Sequence, residues 1–175
     1  MLDVLFLNGT VGAGKTTVAY ALSTLLAEQG TRHALIDLDE IRRLILAPDG
    51  DPFQQEVELR NLRSLARNYR EAGATRLVLA GVLEEPQARA RYVAALETAD
   101  LVICRLTVDP QTARDRLRAR HADDASGLSW HLARTTELAA ILDAAGINDL
   151  FVDTTGRTPT EVALEVQRAV GWRSP

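Results

Sequence analysis

Gly9-Thr10-Val11-Gly12-Ala13-Gly14-Lys15-Thr16 is the stretch on which the reading of this chain turns. It fits the phosphate-binding pattern G-x-x-x-x-G-K-[ST]. Lys15 is the only lysine beside nineteen arginines. A compact ammonium on a flexible stem reaches between the β- and γ-phosphates of a nucleotide triphosphate, where a planar guanidinium fits poorly. The neighbours of the motif supply the context it needs. Residues 2–7 form a short apolar run suited to a buried parallel strand. After Lys15, the apolar residues Val18, Ala21, Leu22, Leu25 and Leu26 follow helical spacing, and Gly30 is a natural stop. Gly12 and Gly14 let the loop turn its N–H groups inward. The helix N-terminus adds partial positive charge, and the Thr16 hydroxyl can reach Mg²⁺. Gly9, Gly12, Ala13, Gly14, Lys15, Thr16 and Thr17 are therefore the candidate nucleotide-binding residues, with ATP and Mg²⁺ as the expected cofactors.

The chain has 175 residues, enough for one domain with a real core. Apolar residues make up 46% and charged residues 25%, the balance of a soluble globular protein. A formal net charge of -4 argues against a surface that coats nucleic acid. The single cysteine, Cys104, lies in an apolar run and reads as a packed core thiol, which excludes an internal disulfide or a cysteine metal cluster. No apolar stretch approaches a membrane span, and residues 1–8 lead into a strand rather than a signal peptide, so the expected compartment is the cytoplasm. Nothing in the pattern reports oligomeric state.

Further strand-like runs fall at residues 33–36, 76–80, 101–106 and 150–152. Helical patterns separate them at 39–46, 54–72, 86–96, 110–120, about 128–145 and 159–170, with a turn-rich break at 47–52. Alternating β and α elements predict a five-stranded parallel sheet covered on both faces, a three-layer α/β/α domain over residues 1–175. Ligands of such sheets bind beyond the carboxyl ends of the strands, so the residues just after each strand carry the information.

The second strand runs into Asp37-Leu38-Asp39-Glu40-Ile41-Arg42. Two carboxylates two residues apart, at a strand-to-helix turn facing the phosphate loop, suit two tasks: holding Mg²⁺ and accepting a proton from an attacking hydroxyl. A plain helix cap would need only one acid. Arg42 is a candidate contact to the acceptor, and Glu40 and Arg43 read as surface. At this point the chain resembles the small P-loop kinases of metabolites, among them adenylylsulfate, shikimate and gluconate kinases and chloramphenicol phosphotransferase. The resemblance rests on the phosphate loop, the Asp-x-Asp with its downstream arginine, and an arginine-rich helix leading to a lid. It implies the P-loop NTPase fold with a helical lid at about 121–136, Asp39 as catalytic base and Asp37 as metal helper. The hexapeptide looks most like the Asp-Gly-Asp-Asn-Val-Arg of adenylylsulfate kinases, with Leu38 and Glu40 replacing its glycine and asparagine.

The same likeness places Gly81, at the end of the third strand, against the acceptor. Glu84 could approach the metal or acceptor but reads first as surface. The 110–120 helix carries Arg114, Arg116, Arg118 and Arg120, and its last turn leads to a polar stretch with the character of a lid hinge. Lid arginines neutralise charge on a transferring phosphoryl group and exclude water. By resemblance Arg116 stacks on adenine, and Arg120 meets phosphate as a catalytic residue. Arg118 reads as a solvated charge, and Arg134 stands between lid arginine and surface residue. His121 and His131 read as too separate to form a metal pair. Thr155 and Gly156 stand where similar kinases pass their backbone along the adenine edge, while Thr158 before Pro159 reads as a helix cap. Of the arginine row on the 54–72 helix, only Arg60 is a candidate substrate contact; such rows are usually solvated faces.

These residues together predict an ATP-dependent phosphotransferase acting on a hydroxyl of a small molecule. A nucleoside monophosphate kinase needs no base for its acceptor, so the acid pair argues against it. A GTP switch would need a second lysine, which the chain lacks. A non-catalytic ATP-binding regulator keeps the same loop and stays as the other alternative.

Overall fold

The computed structural model describes residues 2–51, 53–98 and 100–172. Met1 and Pro52, both within stretches read above, lie outside the described residues. Five strands, β1 (Asp3–Asn8), β2 (His33–Asp37), β3 (Arg76–Ala80), β4 (Leu101–Thr107) and β5 (Leu150–Asp153), form one sheet in the order β2-β3-β1-β4-β5. All pairs are parallel; β1 sits at the centre, with Phe6 opposite Leu79 on one side and Ile103 on the other. Consecutive β1 side chains serve opposite faces, which is why the run is apolar throughout. Val4 and Phe6 join Leu62 and Tyr92 in one buried layer. Leu5 and Leu7 join Leu22 and Val166 in the other.

The helices are α1 (Lys15–Glu28), α2 (Leu38–Ile41), α3 (Gln55–Glu71), α4 (Ala88–Leu96), α5 (Pro110–Arg120), α6 (Ala125–Ala145) and α7 (Pro159–Ala169). The chain leaves β1 toward β2 and β3 on one side, then crosses to β4 and β5 on the other. That reversal opens a crevice at the carboxyl end of β1, where the phosphate loop lies. Among the described residues no helix is long and apolar enough to cross a membrane.

Two expectations need correction. The helix expected over 39–46 ends at Ile41. Leu44, Ile45 and Leu46 are 45–89% exposed, so continuing the helix would bury nothing. The Asn61 amide donates to the Ile41 carbonyl (2.6 Å), the Leu44 N–H turns to Gln54 Oε1 (2.6 Å), and Leu46 adopts a positive φ of 66°. The polar stretch 121–127 is likewise not all hinge. The Asp124 carboxylate accepts from the Gly127 N–H (2.9 Å) and caps α6, which starts at Ala125 and runs unbroken for 21 residues.

Candidate active site

A cleft of about 950 Å³ lies over the strand ends, within the size range of small-molecule sites. Its centre is the phosphate loop. Gly9 has φ 151°, and a Cβ there would stand 2.7 Å from the Leu106 carbonyl oxygen; Gly12 has φ 84°, with Ala113 O 3.1 Å from where a Cβ would be. Side chains at either position would push the loop off α5 and β4. Asn8, fully buried, fixes the strand-to-loop exit: its Oδ1 accepts from Gly9 N–H (2.9 Å) and Leu83 N–H (3.1 Å), while its amide donates to Asn148 Oδ1 (3.1 Å). This brace went unread in the sequence. An asparagine ending an apolar strand was the available signal, since buried polar groups need partners.

Lys15 Nζ donates to the carbonyls of Gly9 and Thr10, both at 3.0 Å. Burial lowers its pKa from 10.5 to about 8, against the opposing pull of Asp39 and Asp37. The Thr16 hydroxyl donates to Asp37 Oδ2 at 2.8 Å, and Asp37 Oδ1 accepts the Asp39 N–H at 3.0 Å. Asp37 therefore caps α2 and reaches α1 with the same carboxylate. Asp39 is held by an ion pair with Arg42, whose other guanidinium nitrogen lies 3.5 Å from Glu58. Glu58 is buried, which raises its pKa, and it accepts from the hydroxyl of Tyr92. The glutamate and tyrosine line the cleft beside Arg42, a pairing that periodicity alone could not show.

Toward β4 and β5, Arg116 donates to Gly12 O (3.2 Å), Thr154 Oγ1 (3.0 Å) and Thr154 O (2.9 Å), joining the loop to the last strand. Arg120 lines the cleft one turn on. Arg134 pairs with Glu84 (2.5 Å) and Glu137 (2.8 Å) and lies over the Phe53 ring. Glu84 is thus part of the cleft wall, a correction to its reading as plain surface. His121 and His131 are also closer than expected: the α5–α6 turn stacks their rings 4.6 Å apart, with Trp130 edge-on to His131. Desolvation lowers the His131 pKa, and His121 and Arg120 add to that. No group of three or more metal-ligating His, Cys, Asp or Glu side chains occurs among the described residues.

Gly12, Ala13, Gly14, Lys15, Thr16 and Thr17 line the cleft, as do Asp37, Asp39, Arg42, Arg116, Arg120 and Arg134. Gly9 lies behind the loop. Gly81 is buried beneath the wall: a Cβ there would meet Leu38 Cδ1 at 2.6 Å, so its demand is packing space. Arg60 points to solvent outside the cleft lining. Thr155 is used internally, donating to Asp153 Oδ1 (2.8 Å) and accepting from Asp109 N–H (3.0 Å), and Gly156 turns with φ 65° beside it. Thr158 and Glu161 form the capping box of α7. Arg118 pairs with Asp115 at the surface, and Cys104 is a buried free thiol.

This arrangement has known parallels. An adenylyl-sulfate kinase of Vibrio vulnificus is 41% identical over 71 residues, which are 40% of this chain and 34% of that enzyme. The match thus spans about a third of the relative's length. A shikimate kinase of Acinetobacter baumannii, solved in complex with shikimate, superposes with TM-score 0.62 at 18% identity, covering 100% of this chain and 97% of the other. An APS kinase of Mycobacterium tuberculosis, solved with AMPPNP and APS, superposes with TM-score 0.59 at 22% identity, covering 98% of both. At these identities the two structures show a shared fold, that of the parallel sheet and phosphate loop described above. Residues 5–131, from β1 through the phosphate loop to the first turns of α6, match the family described as an AAA domain, and the chain belongs to that family.

Proposed function

We propose that the protein is an ATP- and Mg²⁺-dependent phosphotransferase that moves the γ-phosphoryl group of ATP to a hydroxyl of a small molecule. One observation carries the reading. Lys15 and Thr16 face a carboxylate pair in which Asp37 is tied to the Thr16 hydroxyl and Asp39 stands apart, oriented by Arg42. A binding module would need the loop; it would have no use for a second, separately held acid.

Thr16 and Asp37 fit Mg²⁺. They bring a hydroxyl and a carboxylate together as hard oxygen donors, and Mg²⁺ characteristically takes one or two carboxylates with substrate phosphates and water. Bound there, the ion would supply charge neutralisation to the β- and γ-phosphate oxygens. Lys15 and the loop N–H groups hold the same phosphates. Asp39 accepts the proton of the acceptor hydroxyl as its oxygen bonds to the γ-phosphorus, and the β–γ bridging oxygen departs with ADP. We assign Arg120 the role of the lid arginine that meets the phosphoryl charge; that it lines the cleft while Arg134 is shared between Glu84 and Glu137 supports this reading. Residues 121–136 act as the lid, and Arg116, Thr155 and Gly156 mark the adenine side. A cytoplasmic setting, with ATP at hand and Cys104 reduced, goes with this reading.

The test is ADP release across a panel of hydroxyl acceptors with the wild type and Asp39→Asn. Acceptor-dependent release should fall by about 10²–10⁴-fold in the variant, the usual range for a lost general base. ADP release that ignores every acceptor, equal in both proteins, would overturn the reading in favour of an ATPase or a regulator.

A further inference from the structure

Of the six arginines that line the cleft, Arg42 and Arg43 follow α2 and Arg134 lies on α6, on the side of Asp39 and Glu84, whereas Arg116 and Arg120 on α5 and Arg157 after β5 come from the other side of the sheet. Each of the first three is already matched. Arg42 pairs with Asp39 and lies near Glu58, Arg43 with Glu40 at 2.9 Å, and Arg134 with both Glu84 and Glu137. Binding of an anionic acceptor draws on guanidinium groups whose hydrogen bonds point at the ligand. Here a carboxylate or phosphate on the acceptor would compete with a protein carboxylate at each partly exposed pair and come to rest beside a like charge. Two exposed aromatic side chains line the same cleft, Phe53 at 61% and Trp130 at 58%, the latter edge-on to His131. The Arg134 guanidinium lies over the Phe53 ring at 5.8 Å, so the charge nearest that surface is already compensated on both sides.

From this pairing we infer that the acceptor is an alcohol with an apolar or aromatic face and no anionic group, and that Glu84 is a specificity-determining residue which keeps Arg134 from recruiting anions. The inference rests on the kinase reading above and goes further by excluding acceptors such as sugar acids, sulfated nucleotides and nucleoside monophosphates. Glu84 acts through charge matching and touches no reacting atom in this scheme. Its removal should therefore alter which acceptors bind and leave the donor side alone.

The experiment compares acceptors matched in their hydroxyl but differing in charge: an aromatic alcohol, its amine-bearing analogue, and its carboxylate and phosphate analogues. ADP release and KM for each are measured with the wild type, Glu84→Gln and Phe53→Ala. In the wild type the KM of the anionic analogues should exceed that of the uncharged alcohol by about tenfold or more. Glu84→Gln should narrow that ratio at unchanged KM for ATP, and Phe53→Ala should raise KM for the aromatic alcohol alone. A lower KM for the anionic analogues in the wild type, or an unchanged ratio in Glu84→Gln, would overturn the inference and leave the kinase reading standing. Absence of acceptor-dependent ADP release in every charge class, with ATP still bound, would bring down both.

Discussion

At the donor half of the cleft the backbone makes the site, whereas at the acceptor half side chains from distant parts of the chain make it. The donor half is closed by glycines whose torsions or clearances admit little else, by a fully buried asparagine, and by an arginine that bonds to two main-chain carbonyls. The acceptor half is a four-residue helix, a loop that exposes Leu44, Ile45, Leu46 and Phe53, and a set of ion pairs joining α2, α3, the β3–α4 loop and α6. A site of the first kind binds one thing, polyphosphate, because its donors are fixed in number and direction. A site of the second kind can be retuned by changing one partner of a pair, without touching the fold. The difference separates what all such enzymes would share from what each would choose.

The most forceful way to break this contrast is at Lys15. Lys15→Ala removes the cation that the loop holds against the Gly9 and Thr10 carbonyls, the group proposed to meet the phosphates. Turnover should fall by at least about 10³-fold, the scale of losing a fixed electrostatic stabiliser of the transition state. ATP affinity should weaken as well, while acceptor binding, measured separately, stays near wild type. ATP affinity and turnover both near normal in this variant would show that the loop does not do the donor's work.

The same contrast explains what the sequence disclosed. The phosphate loop is local: its glycines, lysine and threonine are neighbours in sequence, and their mechanism follows from their order. Asp37 and Asp39 were legible because a strand end is where such sites gather. The strand runs and their parallel arrangement followed from apolar periodicity, and Thr158 with Pro159 from capping chemistry. What escaped depends on contacts between segments. The end of α2 at Ile41 is set by Asn61 from the next helix. His121 and His131 meet only because the α5–α6 turn folds one ring onto the other. Glu84 joins the cleft through Arg134, fifty positions away. The likeness to small kinases sets Gly81 against the acceptor, whereas its tightest constraint comes from Leu38 and Phe6 beneath it.

Gly81 offers a second, smaller test, because it lies where fold and acceptor half meet. An alanine there would place its Cβ 2.6 Å from Leu38 Cδ1 and 3.2 Å from both Leu38 Cβ and Phe6 Cζ. Leu38 opens α2 and precedes Asp39, so the strain is delivered to the proposed base. Gly81→Ala should cost about 1–3 kcal/mol of stability, the usual range for overpacking a tight core. It should also lower kcat several-fold with little change in KM for ATP, since Lys15 and Arg116 hold the phosphate loop through contacts that do not involve β3. A variant with normal stability and raised KM for the acceptor alone would make Gly81 a substrate contact after all.

The gentlest probe is pH, and its strength lies in two opposite signs. Burial brings the Lys15 pKa to about 8 from 10.5, so its charge is mostly present at pH 7 and mostly gone at pH 9. ATP affinity should therefore fall about tenfold between those values, one bound proton being linked to one bound nucleotide. Stability without nucleotide should move the other way. Above pH 8 the unfolded chain holds the lysine proton that the folded chain has released, so this group adds stability as pH rises toward 10.5. Above pH 9 Cys104 opposes it: its thiol is pushed up from 9.0 to about 12 by burial, so the unfolded chain loses that proton first. The window from pH 8 to 9 is where Lys15 should dominate, with thermal stability rising slightly while ATP binding weakens. In Lys15→Ala both slopes should vanish together. If only the binding slope vanished, the stability trend would belong to another group, and the ammonium would not be paying a burial cost for its place among the phosphates.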